Sequence, residues 1–248
     1  MSSDSNQPTA RREFIGQLAA SAIVLAGAGC ATPATAGQAT SAPTPTPTPT
    51  PSPRPQGPSA PVHWDDSWFG RLTAKHKAVF DSPEIEDGLV VFQAIGYVNG
   101  MRDALGAANG EVQAVVVMRH SAIPMVFNDA MWEKYGFGKE QKVKDRNGKW
   151  ARRNPFADTS AEHASRPGGA MRQRYDLAWL AANGHILLGC DLATRGEAGE
   201  IAERTNGDSK AIYEELKANL VPGVILQPTG VYAVHRAQEA GCTYIRST

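Results

Sequence analysis

Cysteine thiols are the most reactive nucleophiles a chain carries, and of the three here only Cys190 stands where chemistry could use it. It closes an apolar run, 185–189, written like a buried strand. A second such run, Val112–Met118, ends at Arg119 and His120. In parallel α/β sheets ligands bind at the carboxyl ends of the strands. The residues just past those ends are Asp81 and Ser82, Arg119 and His120, Cys190 and Asp191, and Gln227 and Thr229. Cys190 is the candidate nucleophile, with Arg119 and His120 as its candidate assistants. A cation (Arg119 or Arg195) and a following helix N-terminus favour the thiolate that attacks, whereas Asp191 opposes it.

Plainer readings stay open beside this one. A free cysteine commonly serves as a small buried hydrophobe. His120 is either a hydrogen-bonded structural residue or, with Met118, Met125 and Cys190 nearby, a soft-metal or heme ligand. No two candidate ligands have a diagnostic spacing, so neither a metal nor a cofactor is implied. No glycine-rich phosphate fingerprint follows any strand, and no serine elbow is present. His63, His76, His163, His185 and His235 read as structural or solvent-facing. Cys242 stands at the amino end of its strand and so falls on the opposite rim from Cys190. A disulfide needs Cα atoms within about 7 Å, and no bridge between the two is expected.

The elements that must position these residues alternate regularly. Strands are expected at 77–80, 112–118, 185–189, 224–226 and 242–245. Between them lie helices at 82–105, 127–135, 171–183, 198–204, 209–220 and 231–240. The first helix takes Asp81 or Ser82 as N-cap and Pro83 in its first turn, and aligns Val91, Phe92, Ile95, Val98, Met101 and Leu105 on one face. The pattern predicts a three-layer α/β/α sandwich with a mostly parallel five-stranded sheet and right-handed crossovers. It does not set the strand order. One insertion, 138–169, breaks the alternation and is rich in Lys and Arg. It reads as a solvated excursion or as a basic lid or docking arm anchored by Trp150.

The first 62 residues read as targeting and tether. Arg11-Arg12-Glu13-Phe14-Ile15, followed by a short apolar stretch from Leu18 to Gly29, matches a twin-arginine export signal in residues 1–36. Two processing sites remain open. A lipobox-like Leu25–Gly29 would leave Cys30 acylated as a lipid anchor, although Gly27 departs from that box. Cleavage after Ala34-Thr35-Ala36 would release a soluble protein. Residues 37–62 form a Pro/Thr-rich linker, in which the prolines of Ala42–Pro61 favour extended polyproline II reaching roughly 60 Å. Residues 63–248 are then one α/β domain working in the periplasm or cell envelope. Formal net charge is zero, which gives no global pull toward nucleic acid.

The domain resembles the DsrE/DsrF-like family of sulfur-relay proteins. The likeness rests on residues 79–100, on 115–120, and on Gly189-Cys190. It extends over the closing run Leu220-Val221-Pro222-Gly223-Val224, Gly230-Val231 and Gln238-Glu239-Ala240-Gly241-Cys242. It covers most of the domain except 138–169. The resemblance implies an α/β/α sandwich assembling as trimers or hexamers, with a persulfide on the cysteine that aligns with Cys190. Export and the long insertion depart from the well-studied cytoplasmic carriers. The function expected is an exported persulfide carrier using Cys190, helped by His120 or Arg119, exchanging sulfur with an unidentified donor or acceptor protein. The alternatives are a non-catalytic periplasmic module for a small ligand, metal or heme, and a structural oligomer on a lipid tether.

Overall fold

Seven consecutive buried residues make β2 (Val112–Met118) the centre of the sheet, as its β-branched run requires. The computed structural model describes residues 63–165, 168 and 173–248. The twin-arginine segment, the lipobox at Cys30 and the linker 37–62 lie outside the described residues. The other strands are β1 (His76–Ser82), β3 (Ile186–Cys190), β4 (Val224–Gln227) and β5 (Thr243–Arg246). They stand in the order β4-β3-β2-β1-β5, and every pairing is parallel.

That order dictates the layers. From β1 to β4 the chain steps in one direction, so right-handed crossovers put every intervening helix on one face. These are α1 (Leu89–Leu105), α2 (Asp129–Tyr135), α3 (Phe137–Glu140), α4 (Ser160–Ala164), α5 (Leu177–Ala182), α6 (Asp191–Thr205) and α7 (Ser209–Ala218). The return from β4 to β5 crosses three strands in the opposite direction and carries α8 (Gly230–Glu239) on the other face. The core divides accordingly. Phe80, Val116, Met118 and Leu187 pack with Ile95, Leu180, Ile201 and Leu216 on the first side. Val79, Val115, Val117 and Leu188 pack with Ala233, Ala237 and the fully buried Trp68 on the second.

Several boundaries differ from those expected, for local reasons. Asp81 and Ser82 belong to β1 and cap nothing. The helix begins only at Leu89, after a tight turn in which Glu86, Asp87 and Gly88 all take positive φ. Helix α6 starts at Asp191, well before the expected 198. Helix α5 is shorter than 171–183 and starts after Asp176, whose carboxylate accepts the Trp179 N–H at 2.6 Å.

The insertion 138–169 is built into the core rather than draped over it. Val143, Ala151 and Phe156 join the main cluster, while Trp150 is 42 % exposed with the Lys144 ammonium over its ring. Gly138 is held against the backbone of Ala151, where a Cβ would come within 2.0 Å of the carbonyl oxygen. The buried Asn154 amide donates to the Met125 and Phe127 carbonyls at 2.8 and 2.7 Å and accepts from Phe156 N–H. Three of its arginines are paired: Arg152 with Glu133, Arg153 with Asp129, Arg146 with Glu162. Asn154→Ala strands two buried carbonyls and is expected to cost about 2 kcal/mol in urea unfolding; an unchanged midpoint would mean the segment is not anchored there.

Candidate functional site

Helix α6 leaves the carboxyl end of β3 on one face of the sheet, and α8 leaves the end of β4 on the other. Neighbouring strands whose connections diverge in this way open a crevice between their ends. A cavity of about 360 Å³ occupies it. Its floor is Cys190 with Arg119, and one side is the start of α8, Thr229 and Gly230. The other side is the face of α6 that carries Ala193, Gly196, Glu197 and Glu200. His120 and Ser121 stand at the rim, Gln141 reaches in from the insertion, and Leu192 and Val231 are the apolar lips. Both lips are more than half exposed, at 62 % and 67 %.

Cys190 is the N-cap of α6. Its sulfur accepts the Ala193 N–H at 3.3 Å, and its carbonyl accepts the Thr194 hydroxyl at 3.0 Å. The residue is only 5 % exposed and belongs to the core cluster, yet it also forms cavity wall. The cavity is therefore the side from which a small molecule would approach it. Helix N-termini stabilise negative charge, and that of α8 borders the same space. There the Thr229 hydroxyl accepts the Tyr232 N–H at 3.0 Å.

Arg119 lies level with Cys190, because β2 pairs Met118 with Gly189 one residue earlier. Its guanidinium makes two bonds to the buried Asp81, Nε to Oδ1 at 2.7 Å and a terminal nitrogen to Oδ2 at 2.9 Å. Tyr244 of β5 donates its hydroxyl to the same Oδ2 at 2.9 Å. The bond to Asp81 raises the affinity of Arg119 for its proton above the usual value, with Tyr244 and Cys190 acting in the same direction. Gly230 makes room for the arginine stem: a Cβ there would lie 2.5 Å from Arg119 Cβ. His120 follows in a left-handed conformation, φ 51°, which a non-glycine residue adopts only under constraint. It is exposed, with Nδ1 3.0 Å from the Ser121 hydroxyl.

Glu197 is the group that the sequence reading missed. It is 7 % exposed on the cavity wall, and its nearest cation is Arg204 at 3.9 Å. Burial pushes its carboxyl up to about 7; Glu200 adds to the rise, Arg204 opposes it, and Glu140 adds a little more. A carboxyl that titrates near neutrality inside a cleft is a mark of a functional site. Its signal in the sequence was the spacing Cys190, Ala193, Glu197, Glu200, which places all four on one face of a helix.

Of the rim residues singled out from sequence, Cys190, Arg119, His120 and Thr229 meet at the cavity. Asp81 stands behind Arg119 and holds it. Asp191 faces away: its carboxylate accepts from Arg195 Nε at 2.7 Å and from the Tyr213 hydroxyl at 2.6 Å. Gln227 is fully buried and donates to the Asp65 carbonyl. Cys242 sits at the far end of the sheet, its thiol pushed up to about 11 by burial and pulled back slightly by Lys77. Both domain cysteines are free. Among the described residues, no three His, Cys, Asp or Glu side chains are grouped so as to hold a metal ion. Compared with known proteins, the chain matches no family model and no curated protein sequence.

Proposed function

We propose that residues 63–248 form an exported sulfur carrier of the DsrE-like kind, in which Cys190 holds a persulfide. The observation that carries this reading is the place of the Cys190 sulfur: it caps α6 on the wall of the crevice where the sheet's connections diverge, level with Arg119. The Cys190 thiolate attacks the outer sulfur of a donor persulfide, RS–SH. A bond forms from Sγ to that sulfur, the donor's S–S bond breaks, and its electron pair leaves on RS⁻. Counting the proton first released by the thiol, Cys190–SH and RS–SH become Cys190–S–SH and RSH, with no net oxidation. The α6 amide at Ala193 and the Arg119 charge stabilise the anionic sulfur before and after transfer. His120, exposed at the rim, is placed to exchange protons with solvent. Assembly as trimers or hexamers, export by the twin-arginine route and anchoring at Cys30 belong to the same proposal.

Incubating the purified domain with a sulfane donor is expected to add the mass of one sulfur atom to the peptide that contains Cys190. Alkylation before incubation is expected to prevent the gain. A thiol that neither alkylates nor takes up sulfur in the folded protein overturns the proposal. A second reading has one observation in its favour: a cavity of about 360 Å³ is far larger than a sulfur atom needs and falls in the range of small-molecule sites. Under that reading, Cys190→Ala protein retains saturable ligand binding and wild type takes up no sulfur.

A further inference from the structure

The cavity is electrically two-ended. At its floor are Arg119 and the N-termini of α6 and α8, which favour negative charge. Along α6 the wall then becomes acidic. At 1.5 Å rise per residue, Glu197 lies about 10 Å from Cys190 along the helix axis and Glu200 about 15 Å. Glu197 is the second, independent pointer to a ligand. It is more than nine-tenths buried, it lines the cavity, and it accepts no hydrogen bond among the described residues, with Arg204 too distant for one at 3.9 Å. A buried carboxylate in that condition lacks donors that an occupant can supply.

We infer that the sulfur donor is a low-molecular-weight persulfide bearing an ammonium group, with its sulfur end at Cys190 and Arg119 and its ammonium held by Glu197 and Glu200. This rests on the persulfide reading of Cys190 and adds the chemical class of the donor. The volume suits a small molecule and excludes a folded carrier domain from the cavity itself. The exposed apolar lips Leu192 and Val231 suit the methylene stem of such a molecule. A compact dianion such as thiosulfate fits the floor alone and is repelled by the acidic wall. In a γ-glutamyl tripeptide thiol the amine lies about 7 Å from the cysteine, because the γ-linkage spans roughly two extended residues at 3.3–3.6 Å each, and the glutamate side chains close the rest of the gap.

The test separates binding from transfer. Calorimetry with S-methylglutathione, which cannot pass on sulfur, is expected to show saturable binding to wild type. Binding is expected to weaken about tenfold for Glu197→Gln/Glu200→Gln and about tenfold again for the N-acetylated probe on wild type, as for loss of a charge-assisted pair. The exposed Glu200→Gln alone serves as a variant that cannot disturb the core. Equal binding by the acetylated probe, or by the double variant, overturns the inference even if Cys190 loads with sulfur. If binding follows the two carboxylates while glutathione persulfide never loads Cys190, the carrier reading fails and the ammonium site stands.

Discussion

Asp81→Ala protein is expected to unfold at clearly lower urea than wild type, with a loss of about 3 kcal/mol at unchanged slope. The carboxylate is 4 % exposed and accepts two bonds from Arg119 and one from the Tyr244 hydroxyl. Removing one partner of such a pair leaves the other charge without compensation, which costs more than the pair itself contributes. The figure lies at the low end for buried pairs, because the Arg119 side chain is 28 % exposed and regains some water. The same variant frees the guanidinium from its fixed place beside Cys190. If Cys190 carries sulfur as proposed, its loading is therefore expected to slow even at temperatures where the variant is folded. A midpoint equal to wild type would mean that the Arg119–Asp81–Tyr244 cluster does not form in solution.

Glu197→Gln is expected to do the opposite and stabilise the protein at pH 8. The ordinary glutamate value is 4.5, and in the folded chain burial raises it to about 7. Between those values the native state holds a proton that the unfolded chain has released, so stability falls as pH rises across the window and levels off above it. The penalty at pH 8 is about 3 kcal/mol by linkage, at 1.36 kcal/mol per unit. The amide escapes it and gives up only the weak attraction of Arg204, while Glu200 and Glu140, which add to the penalty, lose their charged neighbour. Unfolding curves at pH 8 and pH 4 decide the matter. The variant should be ahead at pH 8 and level with wild type at pH 4, and an equal difference at both values refutes the assignment.

Much of this arrangement was legible in the sequence. The β-branched run 112–118 could only be a strand buried on both faces, and its end fixed Arg119 and His120 on the rim. The run 185–189 did the same for Cys190. What escaped was whatever depends on weak helical pattern. The start of α6, Asp191 to Gly199, mixes two glycines with Thr, Arg and Glu and shows no apolar stripe, so the pattern predicts a helix only from 198 and leaves Glu197 off it. Cysteine is also not among the usual N-caps, which hid the role of Cys190 as a cap. In the insertion, charge is the dominant signal of the sequence. The buried residues Val143, Ala151, Asn154 and Phe156 were too widely spaced to show a period, and the polar Asn154 anchors the segment in place of Trp150. Strand order came from none of these patterns, because the return of the chain to β5 is set by packing across the whole sheet.

That return sets a timetable for the newborn polypeptide. Ala78 of β1 finds its neighbour at Thr243, most of a domain later in the chain. Ribosomes deliver sequence in order, so one flank of β1 stays bare until β5 is made, and closing so long a span is entropically slow. Tyr244 arrives with that late ribbon, so the clamp around Arg119 closes only once β5 has joined β1.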